Sequence, residues 1–158
     1  MFNVEYINPF IAATLQTLEV MAHVRPKRGK PFLKTDHVAK GDISGVIGLA
    51  GEAVGSVAIT FPERLACLIY EKMVGEKPEG MDENVQDVVG EIANMIAGGA
   101  KATLSQEGFT FKIAIPSIVV GKNHTIDHKG KGPCLVVPFE LDGETFWLEV
   151  SFQPLGHE

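Results

Sequence analysis

The chain has 158 residues, room for one domain of ordinary size, and its 45% hydrophobic and 22% charged content is that of a folded protein with a real core. Its 14 Lys+Arg against 20 Asp+Glu leave a net charge of −6, which argues against nucleic acid and against an anionic membrane surface as partners. A stretch of about 18 apolar residues is missing, as is a basic leader at Met1–Glu5, so the expectation is a cytoplasmic chain without membrane insertion, one domain over residues 1–158 with 153–158 as a frayed tail.

Asn8-Pro9 predicts a helix start, with Asn8 as cap and Pro9 in the first turn, and the helix runs to about His23 with Phe10, Ala13, Leu15, Leu18 and Met21 on its apolar face. The basic segment 25–30 around Pro26 stops it, either as a solvated linker or as a patch that attracts an acidic partner. A strand is expected near Thr35–Lys40, then a hairpin in which residues 42–49 and 53–60 flank the turn Ala50-Gly51-Glu52. Pro62 opens a second helix ending near Val74, and a long helix spans about Asp82 to Ser105. Strands follow near Thr110–Ile115, Ser117–Val120, Cys134–Phe139 and Thr145–Phe152, with Asp142-Gly143 as the turn between the last two. Helix followed by strands occurs twice, a coarse duplication of element order without a sequence repeat.

Little in this list is overtly catalytic. Cys67 and Cys134 lack zinc spacing and read as two buried, reduced thiols. His124 and His128 sit among turn residues and lysines and read as a solvated loop rather than a metal pair. Ser44, Ser56 and Ser117 have no nucleophile-elbow context, and Gly45, Gly48 and Gly51 make no phosphate loop. Phe146, Trp147 and Phe152 are expected to pack the last strand on the core.

The long helix is different. Val85, Val89, Ile92, Ile96 and Ala100 share its core side, while Asp87, Glu91, Asn94, Gly98 and Lys101 recur at steps of four, three, four and three along the opposite side. A solvated outer face accounts for acids and a lysine there. It does not account for Gly90, Gly98 and Gly99 in the helix body, each costing on the order of 1 kcal/mol against alanine, or for the weak helix former Asn94. A low stripe with one projecting amide suits a surface that another protein approaches closely.

Asp87, three residues, Glu91, two residues, Asn94 and then, after a further 21 residues, Pro116 resembles the signature of the CheX/CheC family of chemotaxis phosphatases. The stretch Gly90 to Gly98 and the segment Pro116-Ser117-Ile118-Val119-Val120-Gly121 are similar to that family as well. The resemblance implies an α+β, CheC-like fold: a six-stranded, largely antiparallel sheet with two long helices packed on it and a shorter connecting helix. It also implies hydrolysis of the aspartyl phosphate on a phosphorylated CheY-like response regulator, with Asn94 and Glu91 as catalytic residues, Asp87, Gly98 and Lys101 docking the partner, and Pro116 shaping a loop. No cofactor of its own and no metal site are expected, since the Mg²⁺ belongs to the phosphorylated partner; a homodimer is. A non-catalytic regulator-binding or flagellar-switch module of the same fold is the alternative.

Glu5, Asn8 and Pro31 repeat nearly the same spacing, as in two-site members of that family. No acid or serine stands four residues before Glu5, and Asn8 precedes a proline, a departure that favours the single-site CheX type.

Overall fold

Pro62, in an extended conformation, precedes the second helix, and Asp82 caps the third by accepting a hydrogen bond from the Val85 N–H at 3.0 Å. These two helix starts organise the middle of a computed structural model that describes residues 4–35, 40–122, 124–126 and 133–155. A 3₁₀ turn, Val4–Ile7, leads into α1, Asn8–Ala22. Two short strands, β1 (Lys27–Arg28) and β2 (Phe32–Leu33), precede the hairpin of β3 (Ile43–Gly51) and β4 (Ala53–Phe61). Then come α2 (Glu63–Val74), α3 (Glu83–Gln106), β5 (Phe111–Ile113), β6 (Ser117–Val120), β7 (Leu135–Leu141) and β8 (Glu144–Pro154). No helix of the described residues is long and apolar enough to cross a membrane.

The sheet is antiparallel throughout its described pairings and has six rows: β1 and β2 share the edge beside β7, then β7, β8, β4 and β3, with β5 and β6 sharing the other edge. Eight strands thus fill the six positions expected. Exchanging the halves β1–β4 and β5–β8 leaves this order unchanged, so the duplicated element order has a physical counterpart. Each half places its two short strands on the hairpin of the other.

The three helices cover one face. Ile43, Ile47, Val57, Ile59, Phe61, Phe139, Phe146, Leu148 and Phe152 point into that core and are fully buried, and Phe10, Leu65, Ile92 and Ile96 close it from the helices. The opposite face carries Ser44, Ser56, Thr60, Glu149 and Ser151, all buried, with the Glu149 carboxylate 2.8 Å from the Lys34 ammonium.

Several local expectations change. Asn8 is not a cap: Ile7 before it is already helical in φ and ψ, and a capping side chain works from an extended residue. The strand near Thr35–Lys40 falls mainly on 36–39, outside the described residues, while the basic segment forms β1 against β7, with the Arg25 guanidinium on the Glu19 carboxylate. Trp147 faces away from the helices, opposite Thr60 on β4, because strand alternation puts it on the other side from Phe146. Gln153 and Pro154 are in β8, paired with Val54 and Ala53, and the Leu155 N–H donates to the Glu52 carbonyl at 2.7 Å, so 153–155 are not frayed; 156–158 lie outside the described residues. His124 is no solvated loop residue; its Nε2 lies 2.6 Å from the Ser44 hydroxyl and its Nδ1 2.5 Å from the Gly121 carbonyl, while His128 lies outside the described residues. Both cysteines are half-buried and free.

Candidate active site

The position of α3 on the sheet is set by residues that lack side chains. Gly45 on β3 lies under the helix, where an added Cβ would meet the Val89 carbonyl oxygen at 3.0 Å and the Ala93 Cβ at 3.1 Å. On one flank Gly90 faces the β5–β6 segment, and a Cβ there would meet Ile118 Cδ1 at 3.2 Å and Pro116 Cγ at 3.8 Å. On the other flank Gly99 faces α1, with 3.0 Å to the Ala13 Cβ. Two of the three glycines that stood out in the sequence therefore serve packing. Gly98 alone opens onto free space.

With the helix so seated, Val85, Val89, Ile92, Ile96 and Ala100 are buried and Asp87, Glu91 and Asn94 are exposed on its outer side. Gly98 and Lys101 continue the same stripe and are half-buried. Asp87, Glu91 and Asn94 line an open cleft of about 440 Å³ whose far wall is Pro116 and Ile118. Pro116 thus belongs to the site, though it stands between β5 and β6 rather than in the loop that follows α3. Lys101 does not line this cleft; it lies about 10 Å further along the helix than Asn94, at roughly 1.5 Å per residue.

Three chemical facts follow. The Asn94 carboxamide makes no hydrogen bond to another described residue, so its carbonyl and its N–H groups are both available. Glu91, one helical turn before it, is exposed and makes no ion pair among the described residues. Among the described residues, the cleft is lined by two carboxylates and no cation. A free phosphate would be repelled here, whereas a phosphoryl group that arrives with its own positive neighbours would not. No group of three or more His, Cys, Asp and Glu side chains able to hold a metal occurs among the described residues.

The second constellation is not assembled in the same way. Glu5 lies in the 3₁₀ turn and Asn8 is the first residue of α1, so neither stands in a helix body as Glu91 and Asn94 do.

The model of the family described as chemotaxis phosphatase CheX matches residues 43–140. The CheY-P phosphatase CheX of Thermotoga maritima is 28% identical over 95% of this chain and 97% of that protein. Among solved structures, a CheC-like superfamily protein from Shewanella is 49% identical and superposes with a TM-score of 0.89, covering 96% of this chain and 99% of the other. The CheX chain of a CheX–CheY–BeF₃–Mg²⁺ complex from Borrelia burgdorferi is 33% identical with a TM-score of 0.81, covering 96% and 99%.

Proposed function

The chain belongs to the CheX family of chemotaxis phosphatases, and from that premise we propose that it hydrolyses the aspartyl phosphate of a phosphorylated CheY-like response regulator, ending a chemotaxis signal. The observation that carries the reading is the Asn94 amide, which has no hydrogen-bond partner among the described residues and stands one turn from Glu91 in a cleft whose described lining holds no cation.

An aspartyl phosphate is a mixed anhydride, reactive enough that hydrolysis mainly needs a water held in line with the leaving carboxylate oxygen. The Asn94 carbonyl accepts a hydrogen bond from that water and its N–H donates to a phosphoryl oxygen. Water attacks phosphorus, the bond from phosphorus to the aspartate oxygen breaks, and the products are inorganic phosphate and the regulator's free carboxylate. A neutral amide does this without repelling the phosphoryl charge, as a carboxylate in its place would. Glu91 instead meets a cation of the regulator beside the phosphoryl group, an ion pair that fixes orientation more than affinity. Asp87, one turn earlier, extends the docking contact, and Gly98 leaves the helix low enough for close approach. The Mg²⁺ comes with the phosphorylated substrate.

The same reading puts the protein in the cytoplasm with its regulator, as a homodimer with one site per subunit. The short strands at both sheet edges leave backbone groups that a second chain can pair.

The test is the lifetime of the phosphoryl label on a purified regulator from the same source, with and without this protein, in Mg²⁺. Catalytic amounts shorten it in the proposed reading. Binding without any shortening leaves a docking module of the same fold. Acetyl phosphate, which brings no positive neighbours, should not be hydrolysed.

A further inference from the structure

The outer stripe of α3 runs between two apolar flanks. On one side, next to Pro116 in the chain, is Ile115, the most exposed large apolar residue among those described, at 88%. It is displayed rigidly: the Ala114 N–H donates to the Gly48 carbonyl at 2.9 Å just before it, and Ser117 pairs with Val46 just after. On the other side, α1 and α3 enclose a groove of about 250 Å³ lined by Ala13, Val20, Met95 and Gly99 among others, with Val20 60% exposed. Met95 and Gly99 follow Asn94 and Gly98 by one residue each, so the groove begins about 100° round the helix from the stripe.

A lone exposed aliphatic is ordinary on a protein surface. Two on opposite flanks of one polar cleft are a frame. We infer that Ile115 and Val20, with the groove between α1 and α3, form a two-sided apolar docking frame that receives aliphatic side chains of the phosphorylated regulator on either side of its phosphorylated aspartate. The inference rests on the proposed phosphatase reading, since Ile115 directly precedes Pro116 of the Glu91 and Asn94 cleft and Met95 of the groove directly follows Asn94. Its logic is that of protein interfaces generally: desolvated apolar anchors supply affinity around a polar centre and keep bulk water away from it. Here that leaves the one water held by Asn94. Fixing Ile115 between two strand pairings also lowers the ordering cost on binding.

The experiment measures the rate of label loss against regulator concentration for the wild type, Ile115→Ser, Val20→Ser and, as a control on an exposed aliphatic at the far end of α2, Val74→Ser. Serine adds no charge, and exposed positions leave the fold intact. Each frame variant is expected to raise KM about tenfold with kcat unchanged, because the lost contacts are made equally in ground and transition states. Val74→Ser is expected to leave both constants as they are. The frame is overturned by an unchanged KM at either Ile115 or Val20, or by an equal rise with Val74→Ser. A wild type that shows no acceleration at any regulator concentration fails separately, removing the phosphatase reading and the frame with it.

Discussion

Gly45 of β3 and Val89 of α3 meet almost backbone to backbone: a methyl group on Gly45 would stand 3.0 Å from the Val89 carbonyl oxygen and 3.1 Å from the Ala93 Cβ. That contact sets the height at which the helix bearing Glu91 and Asn94 crosses the sheet. Replacing a strand glycine by alanine ordinarily stabilises by lowering the entropy of the unfolded chain. At Gly45 the clash wins, because the obstacle is a helix carbonyl that cannot rotate away. Gly45→Ala should destabilise by about 1–3 kcal/mol, the usual effect of overpacking a core. It should also lower kcat, since a shift of the helix misplaces Asn94. Thermal melts and saturating turnover measure the two effects.

Neighbouring glycines of α3 should respond oppositely to the same change. Gly98 faces open space, so Gly98→Ala gains about 1 kcal/mol of helix propensity and raises Tm, while the added methyl raises KM for the regulator. A methyl on Gly99 meets the Ala13 Cβ at 3.0 Å and forces α1 and α3 apart, so Gly99→Ala lowers Tm. Two melting curves decide it.

On the opposite face of the sheet, Lys34 and Glu149 form a pair at 2.8 Å with side chains only 9% and 4% exposed. Breaking a buried ion pair by removing one partner typically costs about 3–5 kcal/mol. Glu149→Ala should therefore unfold well below the wild type. Adding Lys34→Met should recover part of the loss, because it removes the buried ammonium that Glu149 had faced. Denaturant midpoints of the single and double variants give the comparison.

Burial, with a smaller contribution from the Glu149 carboxylate, pushes the Cys134 thiol up to about 12. The folded state thus holds its proton where the unfolded thiol, near 9, has lost it. Unfolding releases a proton in that interval, so this contribution to stability is complete below about pH 9 and declines as pH rises towards 12. At pH 8 iodoacetamide should modify native Cys134 far more slowly than the half-buried Cys67, whose thiol burial also raises but less strongly. Peptide mass spectrometry distinguishes the two residues.

The legible parts of this molecule were those whose cause is local. Pro62, Asp82 and the Asp142-Gly143 turn, both of whose residues have positive φ, mark their boundaries in the sequence because capping and turn chemistry act over a few residues. The stripe of Asp87, Glu91 and Asn94 was legible for the same reason, since helical period alone puts it on one side. Two-residue strands such as Lys27–Arg28 carry no period and exist only because β7 offers an edge. Nothing in the sequence distinguishes Gly98 from Gly90 and Gly99; what faces each is decided by β5–β6 and α1. The tie from His124 to Ser44 spans 80 residues and has no local signature.

In the proposed reaction the Asn94 amide places the attacking water. The most direct test of that role is label loss from the phosphorylated regulator with wild type and with Asn94→Ala, alongside the affinity of each for the regulator. Asn94 is exposed and holds no other described residue, so the variant should fold and bind as the wild type does. Binding should be kept and turnover reduced at least about 100-fold, the scale on which losing one transition-state hydrogen-bonding group is felt. Equal turnover by both proteins would contradict it and move the chemistry away from the α3 cleft.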